Sequence, residues 1–235
     1  MSIAENIASV KHRLSEAALA AGRRPEDIHI VAATKANSAE RIAEAVRAGV
    51  SMCGENRIQE MTEKKAQGPY EGAQLHFIGH LQKNKVRKAV GVCNLIQSVD
   101  STKLLEQINK QAAKLDIIQD VLLEVNIGEE ESKSGLRAEE LTPILEKAAE
   151  LDSVHVRGLM AIPPISDFPG QNRVYFARMH QLFIDISAKK YDNVSMDFLS
   201  MGMSHDFEDA IAEGSNMIRV GSAIFGSRML PPSGN

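Results

Sequence analysis

The chain is predicted to be an α/β protein folded as a single (β/α)8 TIM-type barrel with an extra N-terminal helix. Three observations predict it. Strand-like and helix-like segments alternate from one end to the other with no long break in composition. Eight short apolar runs read as strands, each followed by a helical pattern, and repeated βα units imply parallel strands joined by right-handed crossovers. A length of 235 residues suits one such barrel. A doubly wound open sheet is the competing fold. Against it, no glycine-rich turn of the G-x-G-x-x-G kind follows the first strand.

Ile3, Ile7, Val10, Leu14 and Ala18 recur at spacings of three and four, which makes residues 3–21 an amphipathic helix. Ser2 and Glu5 form a capping box for it, and Gly22 is its natural stop. Strands are expected near 28–34, 51–55, 74–79, 95–99, 120–127, 154–161, 195–201 and 217–221. Helices are expected near 38–48, 56–66, 81–90, 101–114, 138–150, 172–188 and 205–213. Gly49 and Gly214 close two of these as C-caps do, and Asp100-Ser101 and Ser204 open two others. The whole span 1–235 reads as one domain, with residues 229–235 a frayed tail.

Apolar content of 43% and charged content of 25% are those of a soluble globular protein. The net charge of −4 argues against a nucleic-acid binder. Apolar runs are too short for a membrane span, and Met1-Ser2-Ile3-Ala4-Glu5 lacks the start of a secretory signal. Cys53 and Cys93 form no Cys-x-x-Cys pair and read as thiols in a reducing cytosol, so a cytoplasmic protein is expected.

In a barrel the active face is the ring of strand C-termini. The first strand runs Val31-Ala32-Ala33-Thr34 into Lys35, and a helix start follows at once. On that stretch alone a plain surface lysine is the favoured reading. The second strand ends on Glu55-Asn56, and the third leads through His76 and Gly79 to His80. The loops after strands seven and eight, where these barrels often hold phosphate, carry Ser200, Gly202, Ser204, Gly221 and Ser222. Glycine admits an oxygen close to the backbone, hydroxyls donate, and N–H groups at a helix start favour an anion by up to ~2 kcal/mol. Helix-capping turns are the plainer alternative, for Ser204 above all.

Arg219 interrupts Met217-Ile218-Arg219-Val220. Strand side chains alternate, so if Ile218 and Val220 face the helices, the guanidinium points into the barrel. Strands one and eight are neighbours once the barrel closes, so Lys35 and Arg219 converge on one pocket. A structural pair of Arg219 with Glu55 or Glu124 is the alternative. A lysine, an arginine and a phosphate cradle together suggest pyridoxal 5′-phosphate, whose aldehyde forms a Schiff base with a neutral amine. An ordinary lysine has a pKa of about 10.4; a fixed cation nearby and partial burial both lower it.

At Ala33-Thr34-Lys35, Gly54-Glu55-Asn56, His76-Phe77-Ile78-Gly79, Ser132-Lys133-Ser134-Gly135-Leu136, Arg157-Gly158-Leu159-Met160, Leu199-Ser200-Met201-Gly202-Met203-Ser204 and Arg219-Val220-Gly221-Ser222 the sequence resembles the pyridoxal phosphate homeostasis proteins. That family resembles the N-terminal barrel domain of alanine racemase. The resemblance implies that Lys35 holds pyridoxal 5′-phosphate as an aldimine and that Arg219 contacts the pyridine nitrogen. It implies that Ser200, Gly202, Gly221 and Ser222 hold the phosphate and that Asn56 lines the ring. It implies a carrier in vitamin B6 homeostasis, with apo enzymes that use the cofactor as recipients; a monomer is expected. Ala36 and Asn37 depart from what members often carry after the lysine.

A racemase needs a second acid/base on the opposite face of its substrate, and Tyr70, Tyr175 and Tyr191 all fall away from strand tips, Tyr70 at the wrong end of the barrel. The expectation is therefore a carrier without strong turnover. A weak racemase, or a Schiff-base aldolase acting on a sugar phosphate, are the alternatives. Lys133 is the rival amine, the cluster Lys83, Lys85, Arg87 and Lys88 reads as a solvated helix face, and His76 reads as an inner histidine with no metal spacing.

Overall fold

Eight parallel strands close on themselves in sequence order in the computed structural model, which describes residues 1–130, 133–166 and 168–226. They are β1 (His29–Ala33), β2 (Met52–Glu55), β3 (Gln74–Phe77), β4 (Leu95–Val99), β5 (Gln119–Val125), β6 (Val154–Ala161), β7 (Val194–Ser200) and β8 (Met217–Val220). The helices are α1 (Ile3–Ala20), α2 (Ala39–Arg47), α3 (Ile58–Lys65), α4 (Thr102–Ala113), α5 (Leu141–Ala149), α6 (Arg173–Ser187), α7 (Phe207–Ala212) and α8 (Ser222–Phe225). The open-sheet alternative is thereby removed, since β1 pairs with both β2 and β8.

The N-terminal helix forms as its sequence requires. Ser2 Oγ accepts the Glu5 N–H at 3.2 Å, and the Glu5 carboxylate accepts the Ser2 N–H at 2.7 Å. Its buried stripe is Ile3, Ile7, Val10, Leu14 and Ala18, and it packs on α7, α8 and α2. Gly22, at φ +69°, supplies the left-handed residue that ends it.

Apolar burial falls into two bodies. The larger lies between strands and helices. The smaller fills the barrel with Val31, Leu95, Leu122, Met160 and Met217. Both cysteines belong to the outer body, where burial pushes their thiols up to about 12. Gly54 and Gly158 let the strands approach closely. A Cβ on Gly54 would lie 2.9 Å from both Val31 and Ile78, and one on Gly158 would lie 1.9 Å from the Phe198 carbonyl.

Three expectations need correction. The helix expected over 81–90 is a 3-10 run, Lys83–Lys88. An α-helix there would stack Lys83 on Arg87 at i,i+4, a like-charge pair, whereas the 3-10 run still buries Val86. Ser204 does not open the helix after β7. That helix begins at Phe207, and the Ser204 hydroxyl instead accepts from the Gly221 and Ala223 amides at 3.2 and 3.3 Å. A further helix, α8, follows β8. The tail at 229–235 lies outside the described residues, as does Ser132.

Candidate active site

The barrel mouth is built by the strand tips and the turns that follow. At β8 the alternation works out as expected. Ile218 and Val220 join the outer core, while Arg219 is 4% exposed inside the barrel. Its register partner on β1 is Val31, an inward residue two strand steps short of Ala33. Gly221 continues that register, and a Cβ on it would sit 3.4 Å from Ala33. The β8 loop therefore lies directly against the end of β1, from which Lys35 emerges.

Arg219 is held by neutral partners. It donates to Ser200 Oγ at 2.6 Å and to the Ala161 carbonyl at 2.8 Å. Neither Glu55 nor Glu124 forms an ion pair with it among the described residues, which corrects the structural-pair alternative. Glu55 is directed outward because Gly54 occupies the inward step of β2. Burial pushes the Arg219 pKa down to about 10, against the opposing pull of Glu124 and Asp206, so the guanidinium stays charged at neutral pH.

The chain of bonds continues below the arginine. Ser200 Oγ donates to Gln97 Oε1 at 2.7 Å, and Gln97 Nε2 lies 3.0 Å from His76 Nδ1. The Ser200 proton is thus committed inside the barrel, and its hydroxyl supports Arg219. His76 is an inner histidine, as expected, with burial pushing its pKa to about 4. A neutral His76 accepts from Gln97, and protonation would remove that acceptor. Because the folded pKa lies below the unfolded one, this stability is complete above about pH 6.5 and is lost as pH falls through 4. Chemical denaturation from pH 7 to 4 should show a loss of up to about 3 kcal/mol from this residue, and His76→Gln should flatten that slope.

Gly202, at φ +93° and wholly buried, accepts the Arg219 N–H through its carbonyl at 3.0 Å. A Cβ there would meet Ala210 at 2.6 Å. Asp206 braces this loop by accepting from the Met203 N–H at 2.7 Å and from Asn172 at 3.0 Å. Ser204 connects it to Gly221, so the loops after β7 and β8 meet at the start of α8. Ser222 is exposed there. Just past β2, half-buried Asn56 keeps Oδ1 without a hydrogen-bond partner among the protein atoms. Gly79 crosses directly over it, leaving no room for a Cβ, which would lie 2.1 Å from the Asn56 carbonyl.

Lys35 is exposed at the lip, in a turn after β1. The partial burial expected to lower its pKa is not supplied by the protein alone. Lys133, the rival amine, donates to the Pro163 carbonyl at 3.2 Å and pairs with Glu130. Of the tyrosines, Tyr175 lies on α6 and Tyr191 after it. Tyr70 is not idle at the far end. Its hydroxyl donates to Glu55 Oε1 at 2.9 Å, in the layer outside the barrel.

Sequence reasoning named Glu124 and His80 without giving either a place of its own in the site. Glu124 is 7% exposed, with one carboxylate oxygen unpartnered, and burial and the nearby Asp100 raise its pKa. His80 pairs with Asp100 at 3.2 Å at the neighbouring tips. Glu60 and Lys64 escaped notice, although they show the i,i+4 spacing of an ion pair. In sequence such a pair looks like solvated helix surface.

An exposed lysine at the end of β1, one strand from a buried arginine on β8, defines a class within the barrel folds. Residues 4–229 match the family model described as alanine racemase, N-terminal domain. A pyridoxal phosphate homeostasis protein of Aquifex aeolicus is 41% identical over 97% of this chain and 99% of its own. A crystal structure of an unknown protein from Bifidobacterium adolescentis superposes with TM-score 0.90 at 37% identity, covering 95% of this chain and 94% of that one. PipY of Synechococcus elongatus PCC7942, with PLP bound, superposes with TM-score 0.83 at 32% identity, covering 96% and 100%. The chain belongs to the pyridoxal phosphate homeostasis protein family.

Proposed function

We propose that this chain binds pyridoxal 5′-phosphate reversibly at the barrel mouth and serves its homeostasis in the cell. The observation that carries the reading is Arg219, a charged guanidinium buried on neutral partners, one strand from an exposed lysine. Such a charge is costly to bury unless a ligand uses it. The unpartnered Asn56 Oδ1 and the Ser204 hydroxyl resting on two backbone amides show that the mouth has polar capacity to offer.

The cofactor, when bound, supplies an aldehyde that condenses with an amine. In this reading Lys35 supplies that amine, and Arg219 donates to the ring nitrogen, keeping it unprotonated. Gly202 and Ser222 supply backbone and hydroxyl donors to the phosphate, Gly221, whose own N–H is held by Ser204, lets it approach the backbone closely, Ser200 braces Arg219 from below, and Asn56 lines the ring. The absence of a tyrosine at the mouth among the described residues supports a carrier over a racemase. Among the described residues, no helix is long and apolar enough to cross a membrane. A cytoplasmic monomer that passes the cofactor to apo enzymes, with residues 1–235 as one unit, completes the reading.

Mixing the protein with pyridoxal phosphate should produce a near-visible absorbance band that borohydride bleaches. Peptide mapping should then place the mass gain on Lys35. A protein that gains no band, or carries the label on another lysine, would overturn the reading. A band also eliminates the aldolase alternative, and loss of optical rotation with alanine would favour the racemase.

A further inference from the structure

We infer that Glu60 and Lys64, on the outer side of the barrel wall, are positioning residues that clamp the turn presenting Lys35. The inference rests on the reading of Lys35 as the cofactor's amine. The Lys64 ammonium has three N–H donors and meets three acceptors. They are the Thr34 carbonyl at 2.9 Å, Glu55 Oε1 at 2.8 Å and Glu60 Oε1 at 2.6 Å. Glu60 Oε1 also accepts the Ala36 N–H at 2.6 Å. The backbone groups immediately before and after residue 35 are therefore tied to one ion pair.

The remaining bonds of the turn point the same way. Asn37 N–H donates to the Thr34 carbonyl at 3.2 Å, and the Asn37 side chain donates to the Lys35 carbonyl at 3.1 Å. Thr34 Oγ1 donates to Glu55 Oε1 at 2.7 Å, and Tyr70 reaches the same oxygen. Glu55 is 0% exposed and Lys64 7%, so the Glu55–Lys64 pair is shielded from solvent screening, while Glu60 lies nearer the surface.

Ala36 sits at φ +59°, a left-handed conformation that glycine adopts freely and alanine does not. A turn that only needed to bend would be relaxed by glycine. An alanine held in that region by a charged acceptor restricts the backbone beside Lys35 to one arrangement. Thr34, the residue after β1, is anchored on the outer side of the wall, which fixes the point at which the chain turns at Lys35.

The test uses the full chain and pyridoxal phosphate itself. Glu60→Ala removes the acceptor for Ala36. It should weaken cofactor binding roughly five- to tenfold, the scale of one ordinary hydrogen bond since the contact is partly exposed and acts on the cofactor only through Lys35, and slow formation of the reducible adduct. Glu60→Gln keeps an acceptor oxygen and should restore both. Ala36→Gly relieves the backbone, so it should melt at or above the wild-type temperature yet hold the cofactor less tightly. A residue of merely structural importance would not move stability and binding in opposite directions.

In the cofactor-free protein, exchange of the Ala36 amide should be slow in the wild type and fast in Glu60→Ala. Equal exchange in the two would overturn the clamp. So would unchanged binding in Glu60→Ala or Ala36→Gly, or failure of Glu60→Gln to restore it. If the wild type gave no adduct at Lys35, the cofactor reading would fail, while amide exchange would still report on the clamp.

Discussion

Lys35→Ala should eliminate the borohydride-trapped adduct while leaving the fold untouched. The side chain is exposed at the end of β1, so its removal should change stability by less than about 0.5 kcal/mol. The bonds that shape the turn are made by the backbone of residues 34–37 and by the side chains of Thr34, Asn37, Glu60 and Lys64. The variant should still take up pyridoxal phosphate weakly through Arg219 and the loops after β7 and β8, but with no near-visible band to bleach. Lys133→Ala is the control, because that amine is already engaged by Pro163 and Glu130. It should label as the wild type does. Mass analysis of borohydride-treated samples of all three proteins decides the matter. A full adduct on Lys35→Ala would transfer the role to another lysine.

What the sequence makes legible here is what period and strand order control. Arg219 could be aimed into the barrel from two neighbouring aliphatics, and the closure of β1 on β8 follows from counting βα units. Lys35 and the glycine-rich loops could be placed at one end for the same reason. The network beneath the turn could not. Whether Glu55 points inward or outward depends on Gly54 taking the inward step, and that requires the close approach of Val31 and Ile78. Lys64 looks like any basic residue near a helix end until its ammonium is seen to reach the Thr34 carbonyl. Ser200 was placed on the correct strand, yet its hydroxyl lies among Gln97 and Arg219, a contact between β7, β4 and β8 that no local pattern encodes. Tyr70 illustrates the same limit. Its loop precedes β3, but the length of its ring carries the hydroxyl up to Glu55.

Arg219→Met should separate the arginine's contribution to folding from its contribution to the cofactor. Burying a guanidinium is costly, and replacing a buried charge by an apolar side chain of similar volume is often neutral or stabilising. Here the loss on the protein side is small. The Ala161 carbonyl gives up one donor, worth about 1 kcal/mol, while Ser200 keeps the bond it donates to Gln97. Glu124 loses a cation that lowers its pKa; already raised by burial, it can take up a proton instead of remaining charged. The melting temperature should therefore move by only a few degrees. Cofactor binding should weaken far more. A charge-assisted hydrogen bond to the ring nitrogen contributes about 1.5–3 kcal/mol, which corresponds to a fall in affinity of roughly 10- to 150-fold. Adduct formation at a given cofactor concentration should fall with it, since less cofactor is held at the mouth. Spectral titration and thermal melts run side by side measure both quantities. If affinity and adduct rate stayed at wild-type values, or if binding were lost only because the protein unfolded, Arg219 would be a structural residue and the carrier reading would lose its main support.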